Sequence, residues 1–166
     1  DFLPVKQFMK LQYRLLFDTT FPYYYQNGKD EPLGTKSSEL NQYQFTHLFF
    51  ENFKENSSYT HILYDLLNKL NATALIRAKA NLNPFNSKLY VGKFHIDHDC
   101  KQSKTAVFYM NDCDGYTLFK KDNKKVMSKG NRIVIFNSEE EHTGTNTTNQ
   151  KVRSVLNINY YEFQKK

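Results

Sequence analysis

Tryptophan is missing from this chain, cysteine occurs twice, and no run of residues is apolar for long enough to cross a membrane. Each gap removes a class of protein. Cys100 and Cys113 form no CxxC pair and suggest no disulfide scaffold, so reduced thiols in a cytosol-like compartment are expected. No signal-peptide pattern is visible. The chain begins at Asp1 rather than Met, which leaves a removed leading segment open. No repeat, linker or second domain can be found, and one domain spanning residues 1–166 is expected.

Aromatic residues fill the gap left by tryptophan. There are 14 Phe and 12 Tyr, and hydrophobic residues make up 39% of the 166 positions. A chain this aromatic can bury a core and is read as globular rather than disordered. The net charge of +6 is compatible with anionic partners: nucleic acid, phosphorylated metabolites or a carboxylate cosubstrate. It equally suits lysines scattered over a surface, and the dense basic run FKKDNKKV reads as a solvated hairpin tip.

The opening segment, DFLPVKQFMKLQYRLLF, reads as a helix with Asp1 as N-cap and Pro4 in the first turn. Val5, Phe8, Met9, Leu15 and Leu16 form its expected core face. Residues 26–40 carry Gly28, Pro32 and Gly34 and read as a loop, either a substrate-lining loop or a surface one. Residues 43–50 suggest a strand. Residues 58–70 suggest a second helix with Ile62, Leu63, Leu66, Leu67 and Leu70 inside and His61 at the surface. From Leu75 the period becomes alternating, with strand candidates LIRAKANL, KLYVGKFHI, TAVFYMN, YTLFK, KVM, NRIVIFN and RSVLNINYYEF. Short strands separated by turn residues indicate an antiparallel sandwich or barrel. The expected layout is a helical N-terminal support, 1–74, on a β-sandwich core, 75–166.

The stretch FHIDHDCKQS, residues 94–103, concentrates potential ligands. H-x-D alone is a common triplet. On a strand, however, His95 and Asp97 project to one face while Phe94 and Ile96 point the other way. His142 follows the strand candidate NRIVIFN, and a rolled sandwich can bring it back to the first pair. Two histidines and one carboxylate on one side of a metal suit non-haem Fe(II), with zinc the competitor. Arg153 opens the last strand candidate 11 positions after His142. Directed into a sandwich interior, it needs an anionic partner, which a dicarboxylate would supply.

In this order, His95-x-Asp97, His142 and Arg153 resemble the Fe(II)/2-oxoglutarate-dependent dioxygenases, most closely the prolyl-4-hydroxylase-like branch and its small phage-type members. TAVFYMNDCDGYTLF is similar to that family's strand end and following hairpin, with Tyr109, Gly115, Tyr116, Thr117 and Phe119 at matching places. The likeness covers roughly residues 75–160; DFLP and FPYYYQ are similar to the start of the phage-type members. Two positions depart: Gly115-Tyr116 stands where many relatives have two glycines, and Phe85 where some prolyl hydroxylases place a tyrosine.

The resemblance implies a double-stranded β-helix (jelly roll, cupin-like), mainly β with N-terminal helices. It implies Fe(II) held by His95, Asp97 and His142, and 2-oxoglutarate clamped by Arg153 with help from Tyr109. With O2 as co-reactant, an unactivated C–H bond would be hydroxylated, in a peptidyl proline, another amino acid or a small molecule. His98 and Asp99 have no ligand role in the family pattern, and Cys100 reads as a structural or incidental thiol. No membrane partner is expected, nor a nucleic acid, and the compartment implied is cytoplasmic (the host cytoplasm if the chain is viral). Two other classes remain open. One is a catalytically inactive jelly-roll module that binds a ligand or a metal. The other is a zinc- or manganese-dependent cupin-like isomerase or hydrolase.

Overall fold

The structure is a computed structural model describing residues 1–28 and 43–162. Helix α1 (Val5–Gln12) runs on as a π-helical turn, Tyr13–Phe17. Strands β1 (Tyr24–Asn27), β2 (Tyr43–Glu51) and β3 (Lys54–Glu55) follow, then a 3₁₀ turn, Thr60–Leu63, leading into α2 (Tyr64–Lys69). The remaining strands are β4 (Ala72–Pro84), β5 (Lys104–Tyr109), β6 (Tyr116–Phe119), β7 (Lys125–Met127), β8 (Ile133–Asn137), β9 (His142–Gly144) and β10 (Val152–Glu162). The larger sheet has the order β1-β2-β4-β10-β5-β8 with β3 hydrogen-bonded to β2, and the smaller has β7-β6-β9. This is the expected jelly roll, mainly β with N-terminal helices.

Alternation along the central strands explains how the layers assemble. On β10, Leu156, Ile158 and Tyr160 join Phe108, Ala78 and Ala80 in a core capped by Leu11, Leu15, Leu63 and Leu66 from the helices. The intervening residues point between the sheets, where Val155 meets Val107, Tyr109, Phe119 and Phe136. A strand buried on both faces is rare in antiparallel sheets unless both are covered, and here helices cover one face and the smaller sheet the other. No helix among the described residues is long and apolar enough to cross a membrane.

Several expectations are corrected. Helix α1 buries Leu11 and the π-helical turn buries Leu15, whereas Val5 and Met9 are 58% and 61% exposed. The sheet contacts a face centred on Leu11, with Phe8 edge-on to Phe108. Asp1 caps nothing: Pro4 holds the N-cap position without a side-chain bond. The chain start is instead strapped by Asn131, whose side chain accepts from the Leu3 N–H and donates to the Leu3 carbonyl, both at 2.8 Å. The second helix is shorter than expected and starts as 3₁₀, but its inner face of Leu63, Leu66 and Leu70 stands, and His61 is exposed. Residues before 75 supply β1, β2 and β3 as well as helices. KLYVGKFHI is no strand: residues 88–96 make only isolated bridges, Val91 to Thr145 and His95 to His142. Of the expected loop at 26–40, residues 29–40 lie outside the described residues, Pro32 and Gly34 among them.

Candidate metal centre

Backbone pairing brings the two histidines together. The His95 N–H donates to the His142 carbonyl, and the His142 N–H to the His95 carbonyl, both at 3.0 Å. Strand β9 itself is held by β6, with His142 opposite Phe119. Asp97 lies two residues beyond His95, and ligand atoms of His95, Asp97 and His142 all fall within 4.8 Å of one another. His95 and Asp97 thus come to one side through a bridge rather than through a regular strand. Phe94 is 38% exposed and outside the cavity lining, whereas Ile96, expected to turn away with it, is 41% exposed and borders the cavity.

The tautomers follow from hydrogen bonds. His95 Nδ1 lies 3.0 Å from the Lys93 carbonyl, and His142 Nδ1 lies 3.0 Å from the Glu140 carbonyl. A carbonyl only accepts, so each Nδ1 carries the proton and each neutral ring keeps its lone pair at Nε2. Those Nε2 atoms face the same carboxylate, at 3.8 Å for His95 and 3.6 Å for His142. Lone pairs converging on an anion need a positive charge among them, either a proton or a metal ion. Two nitrogens and one oxygen, with a cavity on the open side, fit a facial metal site.

Asp97 is the most constrained member, its side chain 2% exposed. Arg77 Nη2 donates to Oδ1 at 2.9 Å. Asn157 Nδ2 donates to both oxygens, at 3.3 and 3.1 Å, and Asn159 Nδ2 to Oδ2 at 3.3 Å. Arg77 Nε also donates to Asn159 Oδ1 at 3.0 Å, and Asn159 reaches Thr105 at 2.8 Å. Burial pushes the Asp97 carboxyl up, but Arg77, His142, His95 and Asn157 outweigh it and hold the group at about 2. It is therefore an anion at any working pH. Sequence reasoning missed Arg77, Asn157 and Asn159. A partial signal was present: R-A-K-A-N-L-N on β4 and the shorter L-N-I-N on β10 alternate polar with apolar, and Arg77, Lys79, Asn81, Asn83 and Asn157 from these runs line the cavity.

The cavity measures about 310 Å³ and has His95, Asp97 and His142 in one wall. Arg153 also lines it and is only 2% exposed. Its Nη1 donates to the Thr145 carbonyl at 3.2 Å and Nη2 to Thr117 Oγ1 at 3.4 Å. Gly115 lies against it; a Cβ there would sit 2.4 Å from Arg153 Cδ. Tyr109 does not line the cavity. Its ring lies 5.6 Å from the Arg153 guanidinium carbon, and its hydroxyl engages Thr117 at 2.8 Å. Burial pushes its phenol pKa up, partly offset by Arg153. His98, Asp99 and Cys100 stand apart from the cluster, Cys100 Sγ being 3.5 Å from His98 Nδ1.

No protein-family profile and no curated protein sequence matches the chain. Solved structures do. A prolyl hydroxylase from Trichoplax adhaerens, in complex with a hypoxia-inducible-factor oxygen-degradation-domain peptide fragment, superposes with a TM-score of 0.62 at 14% identity, over 97% of this chain and 80% of that one. A Pseudomonas putida prolyl-4-hydroxylase gives 0.57 at 16% identity, over 97% and 89%. An oxidoreductase of the 2OG-Fe(II) oxygenase family from Burkholderia pseudomallei gives 0.63 at 10% identity, over 93% and 78%. At these identities the likeness is one of fold.

Proposed function

We propose that the chain is an Fe(II)- and 2-oxoglutarate-dependent oxygenase that hydroxylates an unactivated C–H bond. We place it in the prolyl-4-hydroxylase-like branch, with the small phage-type members, on the order of its motifs. The observation that carries this reading is the convergence of two imidazole lone pairs and one buried carboxylate on a cavity that also holds a buried arginine. The fold of the neighbouring structures supports it.

His95, Asp97 and His142 would hold the metal, and their histidine and carboxylate donors suit Fe(II). Arg153 would take the distal carboxylate of 2-oxoglutarate through two N–H donors. When bound, Fe(II) with 2-oxoglutarate and O2 supplies oxidation of a C–H bond coupled to decarboxylation of the cosubstrate.

The chain's own share is orientation and exclusion of water. The Lys93 and Glu140 carbonyls hold each Nδ1 proton and so aim Nε2 at the site. Arg77, Asn157 and Asn159 fix both oxygens of Asp97. Val107 and Val155 give the cavity apolar wall. Tyr109 would serve by supporting Arg153 and Thr117 from beneath. The test is anaerobic addition of Fe(II) and 2-oxoglutarate. A weak visible charge-transfer band is expected from the wild type and not from Asp97→Ala. Its absence from folded wild-type protein at saturating concentrations sinks the reading.

A further inference from the structure

Two asparagines of β10 hold the same carboxylate, and only one of them is fully used. Asn159 donates from Nδ2 to Asp97 Oδ2 at 3.3 Å and to Thr105 Oγ1 at 2.8 Å, and its Oδ1 accepts from Arg77 Nε at 3.0 Å. Both ends of that amide are matched. Asn157 donates from Nδ2 to Asp97 Oδ1 at 3.3 Å and to Oδ2 at 3.1 Å. A carboxylate only accepts, so the nitrogen of Asn157 must face Asp97 and its oxygen is turned to the other side. There Oδ1 is buried and accepts no hydrogen bond. Asn157 is 8% exposed and lines the cavity, which Asn159 does not.

Asn81 and Asn83 also carry buried oxygens without a partner. Among the described residues no hydrogen bond fixes which end of those two amides faces the cavity, so their oxygens have no assigned direction. Asn157 differs because Asp97 decides its orientation. Buried polar groups are nearly always matched, and this oxygen is placed to receive a donor from a ligand beside Asp97.

The chemistry of the centre selects the donor. Two imidazoles and one carboxylate leave positions of a cation open, and water fills them when the cation binds alone. A cation polarises its water and makes each O–H a stronger donor. A neutral amide oxygen accepts that hydrogen bond without taking the proton. We infer that Asn157 is a positioning residue: its NH2 group holds Asp97 while its oxygen accepts from a water carried by the metal. One side chain thereby ties a protein ligand to an open position. This role rests on the cluster being a metal centre, as the oxygenase reading requires. A water held by both metal and amide leaves more slowly than its neighbours.

The test uses the whole protein loaded with Mn(II) alone. Oxygen-17 relaxation of the solvent counts the metal-bound waters and gives their residence times. Wild type is expected to hold one water about tenfold longer than the others, as for one added hydrogen bond. Asn157→Leu should still bind Mn(II) and lose the slow water; Asn157→Ala is the second variant should leucine not fold. Asn159→Leu is the control, because it removes a donor from Asp97 but no spare acceptor, and it should keep the slow water. Arg77→Met serves the same purpose should that control not fold. If wild type binds Mn(II) without a slow water, or the slow water survives in Asn157→Leu, this role is overturned and the metal-centre reading stands. Equal loss of the slow water in the control, or loss of Mn(II) binding from the Asn157 variant, reduces Asn157 to a support for Asp97 and also overturns it. Failure of wild type to bind Mn(II) sinks both.

Discussion

Replacing Arg77 with methionine keeps most of its aliphatic stem and removes the guanidinium that donates to Asp97 at 2.9 Å and Asn159 at 3.0 Å. The Asp97 side chain is 2% exposed, so the remaining charge has only Asn157 and Asn159 as protein hydrogen-bond donors among the described residues. Breaking one side of a buried ion pair costs about 3–5 kcal/mol. Arg77 is itself 18% exposed, which places this pair at the low end. The carboxyl supplies a second figure. Burial raises its pKa, and Arg77 is the largest influence against that, the result being about 2 in place of 3.8. That depression is worth about 2 kcal/mol at neutral pH.

Because the folded value lies below the unfolded one, this stability is present above about pH 4 and lost as pH falls through about 2. The metal-free variant is therefore expected to be about 2–3 kcal/mol less stable than wild type in urea unfolding at neutral pH, with the gap shrinking on acidification. A divalent metal supplies the missing positive charge, so it should stabilise the variant more than the wild type and narrow the gap. By linkage the variant then binds metal more tightly. A loss under about 0.5 kcal/mol, or equal stabilisation of both proteins by metal, would refute the assigned role.

Asp97→Ala removes the only carboxylate from the cluster and is expected to abolish metal binding in a calorimetric titration. Arg153→Ala should leave metal binding in place and raise the 2-oxoglutarate concentration needed for succinate formation; equal loss of metal in both would contradict these roles. Gly115→Ala drives a Cβ into Arg153 Cδ and the Asn146 carbonyl, so it should mimic Arg153→Ala in its 2-oxoglutarate requirement, at a further cost of about 1–3 kcal/mol in stability. Asp114 accepts from the Thr148 hydroxyl, from the Thr148 N–H at 2.9 Å and from the Thr147 hydroxyl at 2.8 Å. Its carboxyl is pushed up by burial but held below the ordinary value by these bonds. Asp114→Asn should accordingly lower the melting temperature at neutral pH, and the difference should fade as pH drops below the ordinary aspartate range.

Local pattern carried a good deal. The strand candidates TAVFYMN, YTLFK and RSVLNINYYEF fell on β5, β6 and β10, because short apolar runs bounded by turn residues mark strands wherever they sit. Polarity was harder to interpret. Lys79, Asn81 and Asn83 look from their own segment like a solvent-facing edge, yet they floor a cavity. Nothing local distinguishes water from an enclosed polar space.

His95-x-Asp97, His142 and Arg153 were visible as a set of residue types and an order along the chain. Their assembly depends on pairing between distant segments: the His95–His142 bridge, the β6–β9 ladder, and the β4–β10 register that sets Arg77 opposite Asn159. Tyr109 was expected to help Arg153 hold a carboxylate and lies with its ring against Arg153 and its hydroxyl on Thr117, while Val5 and Met9 were expected inside but are exposed. Period and residue chemistry belong to the chain a few residues at a time. Which face becomes interior, and which distant carboxylate an arginine meets, depends on how the layers stack, because burial and long-range contact arise only once the sheets have closed.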